Sequence, residues 1–577
     1  MAFTTRPVIM GTHGVVASTH YLASVEGLQA LREGGTVVDA GATMWFMLTL
    51  LKPHLVGVAG EVPILLHLAE EGKVLAVNGQ GPAPAAATID WFKERGYPLI
   101  PEDGFTPAVV PGAFHAWMRT LEEYGAMSLR RILTPAIRLA KEGFPVYPTL
   151  AAFLDRLKDR YLTEWSASAK TYLPSGSAPK VGQVINNPDW ARTFSRLLRE
   201  TSRDAATSRS QGFDAAIKHF YDGPIAESIV SYMQGFKCND VYGKENHGLM
   251  TLEDMASYES RFEEPVTVNY RGLDVYKCGP WTQGPVLLQQ LNILEGYDLK
   301  GMGHNNVEYL HTLIEAAKLA FADREQYYAD PDFVEVPLTR LLSKGYAEER
   351  RRLIDPGSAS MLLRPGGAPH VELKESGERP FHEGDTVHLE AVDSEGNMLS
   401  ATPSGGWIRT SPLIPDLGFP MGTRGQFFHL DPGHAERLEP GKKPSTTLTP
   451  SLVMRDSEPY MVFGTPGGDQ QDQWTLQLFL NHVEFGMNVQ EAIDAPTVHT
   501  NSFPGSFWPH AVRPGEVSVE SRIPETVVDG LRRLGHKVVV SKPWSHGRCL
   551  AIKYDLETCV IHGGASPRTG EPYAIGW

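Results

Sequence analysis

Thr386 is the position in this sequence best suited to covalent chemistry. It follows a polar, glycine-rich stretch and opens a β-rich run, HEGD-TVHLEAV. An internal threonine hydroxyl is a weak nucleophile, because its pKa lies far above neutrality. A threonine at a free N-terminus carries its own base, the α-amine. That amine has an ordinary pKa of about 7.7–8.0, so much of it is unprotonated near neutral pH. Taken alone, Thr386 is one of many strand-opening threonines, and a structural role is the default reading of it. A second feature is GTPGGD, 464–469, a glycine pair after an apolar run. It lacks the Lys-Ser/Thr of a phosphate loop and reads either as a tight turn or as a pair of backbone donors. Twenty histidines form no compact ligand pattern, and Cys238, Cys278, Cys549 and Cys559 form no C-x-x-C pair. No metal, cofactor or disulfide scaffold is expected from these spacings.

The elements that must position Thr386 fall into two textures. Helical periodicity covers 22–33, stopped by Gly34-Gly35, and the nearly all-apolar run from Asp39 to Pro53, which belongs inside. Helices are also expected at 129–141, 284–295 and 309–329, and a hairpin at 63–68 and 73–77. A polar, Pro- and Gly-rich tract at 354–385 reads as an exposed linker. Beyond it the pattern turns to strands: 386–392, the return MLSAT, 425–430, 451–455, 460–464, 536–541, 549–554 and 558–563. Helices intervene at 474–483 and 525–534. A helix-rich first part and an αβ-rich last part suggest stacked sheets with helices outside.

The chain has 577 residues and a formal net charge of −15. That acidity is a poor electrostatic match to nucleic acid or an anionic membrane surface, so neither is an expected partner. The N-terminus lacks a basic segment followed by a long apolar run, and a cytoplasmic location is the expectation.

Several fragments, in order, resemble the gamma-glutamyltranspeptidase family of N-terminal nucleophile hydrolases. They are EGGTVVDA (33–40), GLDVYKCGPWTQGPVLLQQLNILEG (272–296), AAKLAFADREQYYADPDF (316–333), DTVHLEAVDSEGN (385–397), KKPSTTLTPSLV (442–453), GTPGG (464–468) and GGASPRTG (563–570). The resemblance implies an α+β fold, a four-layer αββα sandwich. It also implies a precursor that cuts itself between Asp385 and Thr386, giving a large subunit 1–385 and a small subunit 386–577. A homo-oligomer of the processed pair is compatible with it. Thr386 takes the nucleophile position, with its own amine as base, and Ser404 that of a second hydroxyl that bonds the nucleophile. Gly467 and Gly468 fall on an oxyanion-hole pair. Thr446 and Thr447 fall on a serine pair that binds the substrate carboxylate. His388 matches a histidine near the nucleophile, with strand packing as good a reading as catalysis.

Other positions depart from the family. Gln80 stands where an arginine anchors the γ-glutamyl α-carboxylate, and Gly406 replaces an asparagine. Arg424 and Phe427 replace a glutamine and an aspartate near the glutamyl amine. An aromatic ring cannot pair an ammonium as a carboxylate does. Asp469 is a candidate for the missing carboxylate, and Arg424 for a carboxylate anchor in a new orientation. Trp407 and Phe427 are candidates for an apolar acyl pocket, core packing being the alternative. The stretch 429–441 is shorter than the family's lid region. The expected function is therefore a self-processing amidohydrolase or acylase acting on a small-molecule amide other than a γ-glutamyl one. A true gamma-glutamyltransferase or glutathione hydrolase, and an unprocessed inactive relative with a binding role, are the alternatives.

Overall fold

The computed structural model of the protein describes residues 3–377 and 386–577. Its centre is a pair of seven-stranded antiparallel sheets. In spatial order the first contains Ile9–Gly11, Val560–Ala565, Leu550–Asp555, Glu458–Gly464, Ser451–Arg455, Leu273–Lys277 and Val266–Tyr270. The second contains Tyr573–Gly576, Gly14–Ser18, Leu389–Asp393, Met398–Ala401, Val62–Leu68, Lys73–Gly79 and Arg261–Glu263. Both sheets interleave strands from before and after Thr386, so neither can form from one part of the chain alone.

Strand alternation separates three apolar layers. Val392, Met398, Leu452, Val462, Leu550 and Ile552 fill the space between the sheets. Leu389, Ala391 and Leu399 point the other way, into a core shared with helices Tyr21–Arg32, Val37–Leu51 and Ala113–Tyr124. Val453, Met461, Phe463 and Ala551 likewise face helices Pro285–Leu294, Gln471–Val483 and Val489–Asp494.

The early EGGTVVDA fragment has a structural explanation. Thr36 and Asp39 form a reciprocal capping box at the start of the fully buried helix Val37–Leu51. Asp39 also accepts from the backbone N–H groups of Ala126 at 2.8 Å and Met127 at 3.1 Å, tying that helix to the next layer.

The strand expected at 536–541 is present as Lys537–Ser541, which pairs with Glu516–Glu520 in a small three-stranded sheet outside the two central ones. Two expectations are corrected. Residues 425–430 form no strand. Arg424–Phe427 is a 3₁₀ turn, in which the Gln426 amide donates to the Thr423 and Glu102 carbonyls. The aromatic pair here enters two separate cores, Phe427 beside Trp407 and Phe507, and Phe428 beside Leu430 and Leu438. Finally, the tract from 354 is not uniformly exposed. Arg364 is buried against Glu315 at 2.7 Å, and the Gly366 N–H donates to Asp323 at 2.8 Å. Residues 369–372 and 374–377 are exposed as expected, and the rest of the expected linker, 378–385, lies outside the described residues.

Beside the second sheet, the backbone at Gly60 approaches Ser404 so closely that a Cβ there would lie 2.0 Å from the Ser404 carbonyl oxygen. Gly60→Ala is expected to lower the thermal midpoint, at a cost of about 1–3 kcal/mol. Gly345, with nothing within 4 Å of an added Cβ, is the control. Gly345→Ala is expected to be neutral or to stabilise by a few tenths of a kcal/mol, roughly the helix-propensity difference. Equal midpoints for the two variants would contradict the close approach.

Candidate active site

Thr386 is fully buried at the polar end of the space between the sheets. It forms an antiparallel bridge with Ser404, which bridges Glu61 in turn. The Val387 N–H donates to the Pro403 carbonyl at 3.1 Å, and Ser404 and Glu61 exchange backbone bonds of 3.0 and 2.9 Å. This register brings the Thr386 Oγ1 to 3.2 Å from the Ser404 Oγ.

His388 and Glu390 follow on the same face of the strand. His388 Nδ1 is 2.9 Å from the Thr402 hydroxyl, and Nε2 is 2.8 Å from a Glu390 carboxyl oxygen. Complete burial pushes the imidazole down to about 3 and the Glu390 carboxyl well above its ordinary range, so both are held neutral. Both ring nitrogens of His388 are thus engaged away from Thr386. These contacts give it a packing role, which was one of the two readings open in the sequence.

The glycine pair lies at the end of strand Glu458–Gly464. A Cβ on Gly464 would fall 2.2 Å from His388 Cε1, so this strand end abuts the chain two residues past Thr386. The chain then turns through Gly467 and Gly468, both with positive φ (149° and 58°), and enters helix Gln471–Val483 through a 3₁₀ turn. Among the described residues neither glycine N–H has an acceptor. Free N–H groups at the head of a helix form a site of positive potential, suited to an oxyanion. The turn is braced from behind. Asp472 accepts from Thr449 at 2.8 Å and pairs with the buried Lys277 at 3.2 Å. Gln283 Nε2 lies 3.5 Å from the Gly468 and Asp469 carbonyls.

Arg424 is fully buried, and its Nε donates to Glu61 at 2.8 Å, with Nη2 on the same oxygen. Trp407, Phe427 and Phe507 surround the guanidinium with ring centroids at 4.8, 4.6 and 5.5 Å. Its Nη1 has no hydrogen-bond partner. Glu61 thus already holds the Nε and Nη2 edge of the expected carboxylate anchor, which leaves the two N–H groups of Nη1 for a further acceptor.

The remaining candidates separate. Thr446 lies on a narrow cavity with Phe427, while its neighbour Thr447 keeps a buried hydroxyl without a partner. Gln80 is buried at the end of strand Lys73–Gly79. Its side-chain amide reaches only the Gly81 carbonyl, at 3.5 Å, and its Oε1 is unpartnered. Asp469 is neither solvated nor available. Arg324 pairs with it, and Ser506 donates its N–H at 3.0 Å and its hydroxyl at 2.5 Å. Glu61, Phe507, Arg324 and Gln283 were missed by sequence reasoning. They come from four distant segments, and no local spacing marks them.

One trio of described residues, His311, Glu315 and His536, has ligand atoms within 4.8 Å of one another. Glu315 already carries Lys318 and Arg364 at 2.7 Å each. A divalent ion there would add charge to an acid that is already neutralised twice.

The charge states assigned to the corner have a direct check. Glu390→Gln keeps a neutral polar group in place of a neutral acid and is expected to change stability by no more than about 1 kcal/mol. Glu61→Leu leaves the Arg424 guanidinium buried without its anion and is expected to cost about 3–5 kcal/mol. Denaturation midpoints of the two variants beside wild type make the comparison, and the reverse order would refute the assignment.

The sequence model of the family described as gamma-glutamyltranspeptidase matches residues 23–575. The glutathione hydrolase-like YwrD proenzyme of Bacillus subtilis is 32% identical, over 98% of this chain and 99% of its own. The structure of LmbA2991HD is 43% identical, with each chain covered completely and a TM-score of 0.95. The cephalosporin acylase structure from Bacillus halodurans is 33% identical, covering 100% of this chain and 98% of its own, with a TM-score of 0.85. This chain belongs to the gamma-glutamyltranspeptidase family and is an amide-hydrolysing enzyme of it.

Proposed function

We propose that the protein is the precursor of an amidohydrolase that cuts itself before Thr386 and then acts on amides whose acyl part is not γ-glutamyl. The two facing sheets, each with helices on its outer side, support reading the fold as the αββα sandwich of N-terminal nucleophile hydrolases. The observation that carries the proposal is the closed corner Thr386–Ser404–Glu61–Arg424, in which a hydroxyl pair is joined by backbone pairing to a ring-caged guanidinium.

In maturation the Thr386 Oγ1 attacks the carbonyl carbon of Asp385. The Asp385–Thr386 C–N bond breaks as the Thr386 nitrogen takes up a proton, and water hydrolyses the resulting ester. This frees the amine that then serves as base. Asp385 itself lies outside the described residues. In turnover the same oxygen attacks the substrate carbonyl, and the negative charge that develops there is received by the N–H groups of Gly467 and Gly468. The amine product leaves with a proton, and water resolves the acyl-enzyme. The acyl group rests against Trp407, Phe427 and Phe507, with Arg424 Nη1 as its one charged donor. Gln80, Gly406 and Phe427 supply none of the ionic contacts that a γ-glutamyl group requires.

The test has two steps. The purified chain is expected to appear as two fragments on a denaturing gel, the smaller beginning Thr-Val-His-Leu-Glu, while Thr386→Ala stays whole and Ser404→Ala is cut more slowly. The processed enzyme is then assayed on γ-glutamyl, glutaryl and aromatic acyl anilides, small dicarboxylic monoamides and glutathione. An acyl amide other than γ-glutamyl is expected to have the highest kcat/KM. Glutathione turnover equal to the best amide would overturn the substrate reading, and an intact wild-type chain would overturn the processing reading.

A further inference from the structure

Phe427, which packs against Arg424, also lines the narrow cavity on which Thr446 lies. Its wall carries six titratable or charged side chains: Arg324, Glu325, Glu436, His429, His434 and His510. The three imidazoles are stacked, with His429 centroids 3.7 Å from His434 and 4.5 Å from His510. Burial, first, and repulsion from its two neighbours hold His429 down at about 2, while burial is also the main cause that lowers His434 and His510, which favours the neutral form of the stack. Arg324 is committed to Glu325 and Asp469. Lys442, the nearest lysine, spends its ammonium on the Ala435 and Arg437 carbonyls at 2.6 and 3.1 Å.

That leaves Glu436. It is 6% exposed, and Oε2 accepts from the Ser445 N–H at 3.1 Å. Oε1 is buried with no hydrogen-bond partner, and so is Nε2 of His510 across the same cavity. An unpartnered buried carboxylate oxygen costs free energy, and proteins keep one where a ligand completes it. With Arg324 and Glu325 paired, Glu436 is the acid on this lining that has no ion-pair contact among the described residues, although the charge of Lys442 nearby favours its ionised form. The cavity's other walls, the Phe427 and Tyr328 rings and the neutral imidazole faces, attract a cation.

We propose that this cavity is an ammonium-binding subsite, and that the substrate's acyl group bears a protonated amino group whose partner is Glu436. The inference rests on the amidohydrolase reading and narrows its substrate class to aminoacyl amides. Phe427 belongs both to the ring cage around Arg424 and to this cavity, so an acyl chain lying along Phe427 would run from that cage toward Glu436. Gln80, unlike an arginine, supplies no cation for an α-carboxylate, so the fitting acyl groups are amino-bearing chains without one. Burial raises the Glu436 carboxyl to about 7, and an incoming ammonium would favour its ionised form.

The probes are ω-aminoacyl p-nitroanilides of graded chain length, each paired with its deamino counterpart, assayed with the processed full-length protein. At least one aminoacyl member is expected to exceed its deamino partner in kcat/KM by about tenfold, the scale of one new charge pair. Glu436→Gln keeps the acceptor for the Ser445 N–H and is expected to raise the KM of that member at least about tenfold more than that of its partner. Glu436→Asp should restore part of the difference, and normal cleavage into two fragments reports that each variant folds. No preference in wild type, or equal losses on both members of a pair, would overturn the subsite. Calorimetric titration with the free ω-amino acids and their deamino acids reads the subsite without turnover. Tighter binding of an amino acid that Glu436→Gln abolishes supports the proposal even if every amide is inert, an outcome that would sink only the amidohydrolase reading. Equal binding of both acids would overturn the subsite whatever the amides do.

Discussion

The structure depends on burying a hydroxyl pair at the end of an inner strand. Thr386 and Ser404 meet because Thr386 bridges Ser404 and Ser404 bridges Glu61. That register exists only when strands from both parts of the chain are already in the sheet. Leu389–Asp393 is flanked by Gly14–Ser18 on one side and Met398–Ala401 on the other. The proposed cut before Thr386 would therefore fall within a finished sheet, and its two products would stay interlocked across the fourteen strands of two sheets. The same burial keeps solvent from the Thr386 hydroxyl, which suits the proposed nucleophile with a base on the same residue.

Burial of this kind has an electrostatic cost, and the polar end of the space between the sheets shows how it is met. His388 and Glu390 are neutral and bonded to each other. Lys277 is fully buried but bonded to the Ser451 hydroxyl at 2.8 Å, to the Thr449 carbonyl at 3.1 Å and to Asp472. Arg424 is paired with Glu61. Each ion has its counter-ion, and the lone titratable pair gives up its charge. The apolar half of the same layer, from Val392 to Ile552, supplies the hydrophobic stabilisation that the polar half lacks.

Much of this was legible in the sequence, for a specific reason. The helices at 21–32, 37–51, 285–294 and 307–327 and most central strands have strong periodicity, and the ordered fragments around Thr386 and Gly467 mark backbone geometry that tolerates few substitutions. What was not legible depends on contacts across the chain. The aromatic run at 425–430 looks like a strand, but its two rings bury in different cores, and a turn allows that where a strand does not. Asp469 looks like a free loop carboxylate, and only the fold brings Arg324 to it, 145 residues away. Arg424 looks like an open anchor because Glu61, 363 residues earlier, cannot be paired with it by spacing.

This division also explains how such a site can keep its chemistry while its specificity changes. The groups proposed to react are small side chains and backbone N–H groups placed by sheet register and by the head of one helix, so they would survive a change that leaves the sheets intact. The groups proposed for recognition sit on turns, at 405–409, 424–427, 429–446 and 505–510, where side chains can be exchanged without disturbing a ladder. The two sets touch at Glu61, whose backbone pairs with Ser404 while its carboxylate holds Arg424, and again at the glycine turn, where Phe507 packs on Gly468 and Ser506 donates to Asp469. A change at Arg424 therefore frees a buried carboxylate whose own backbone pairs with Ser404, so the two stretches are energetically coupled through that one side chain.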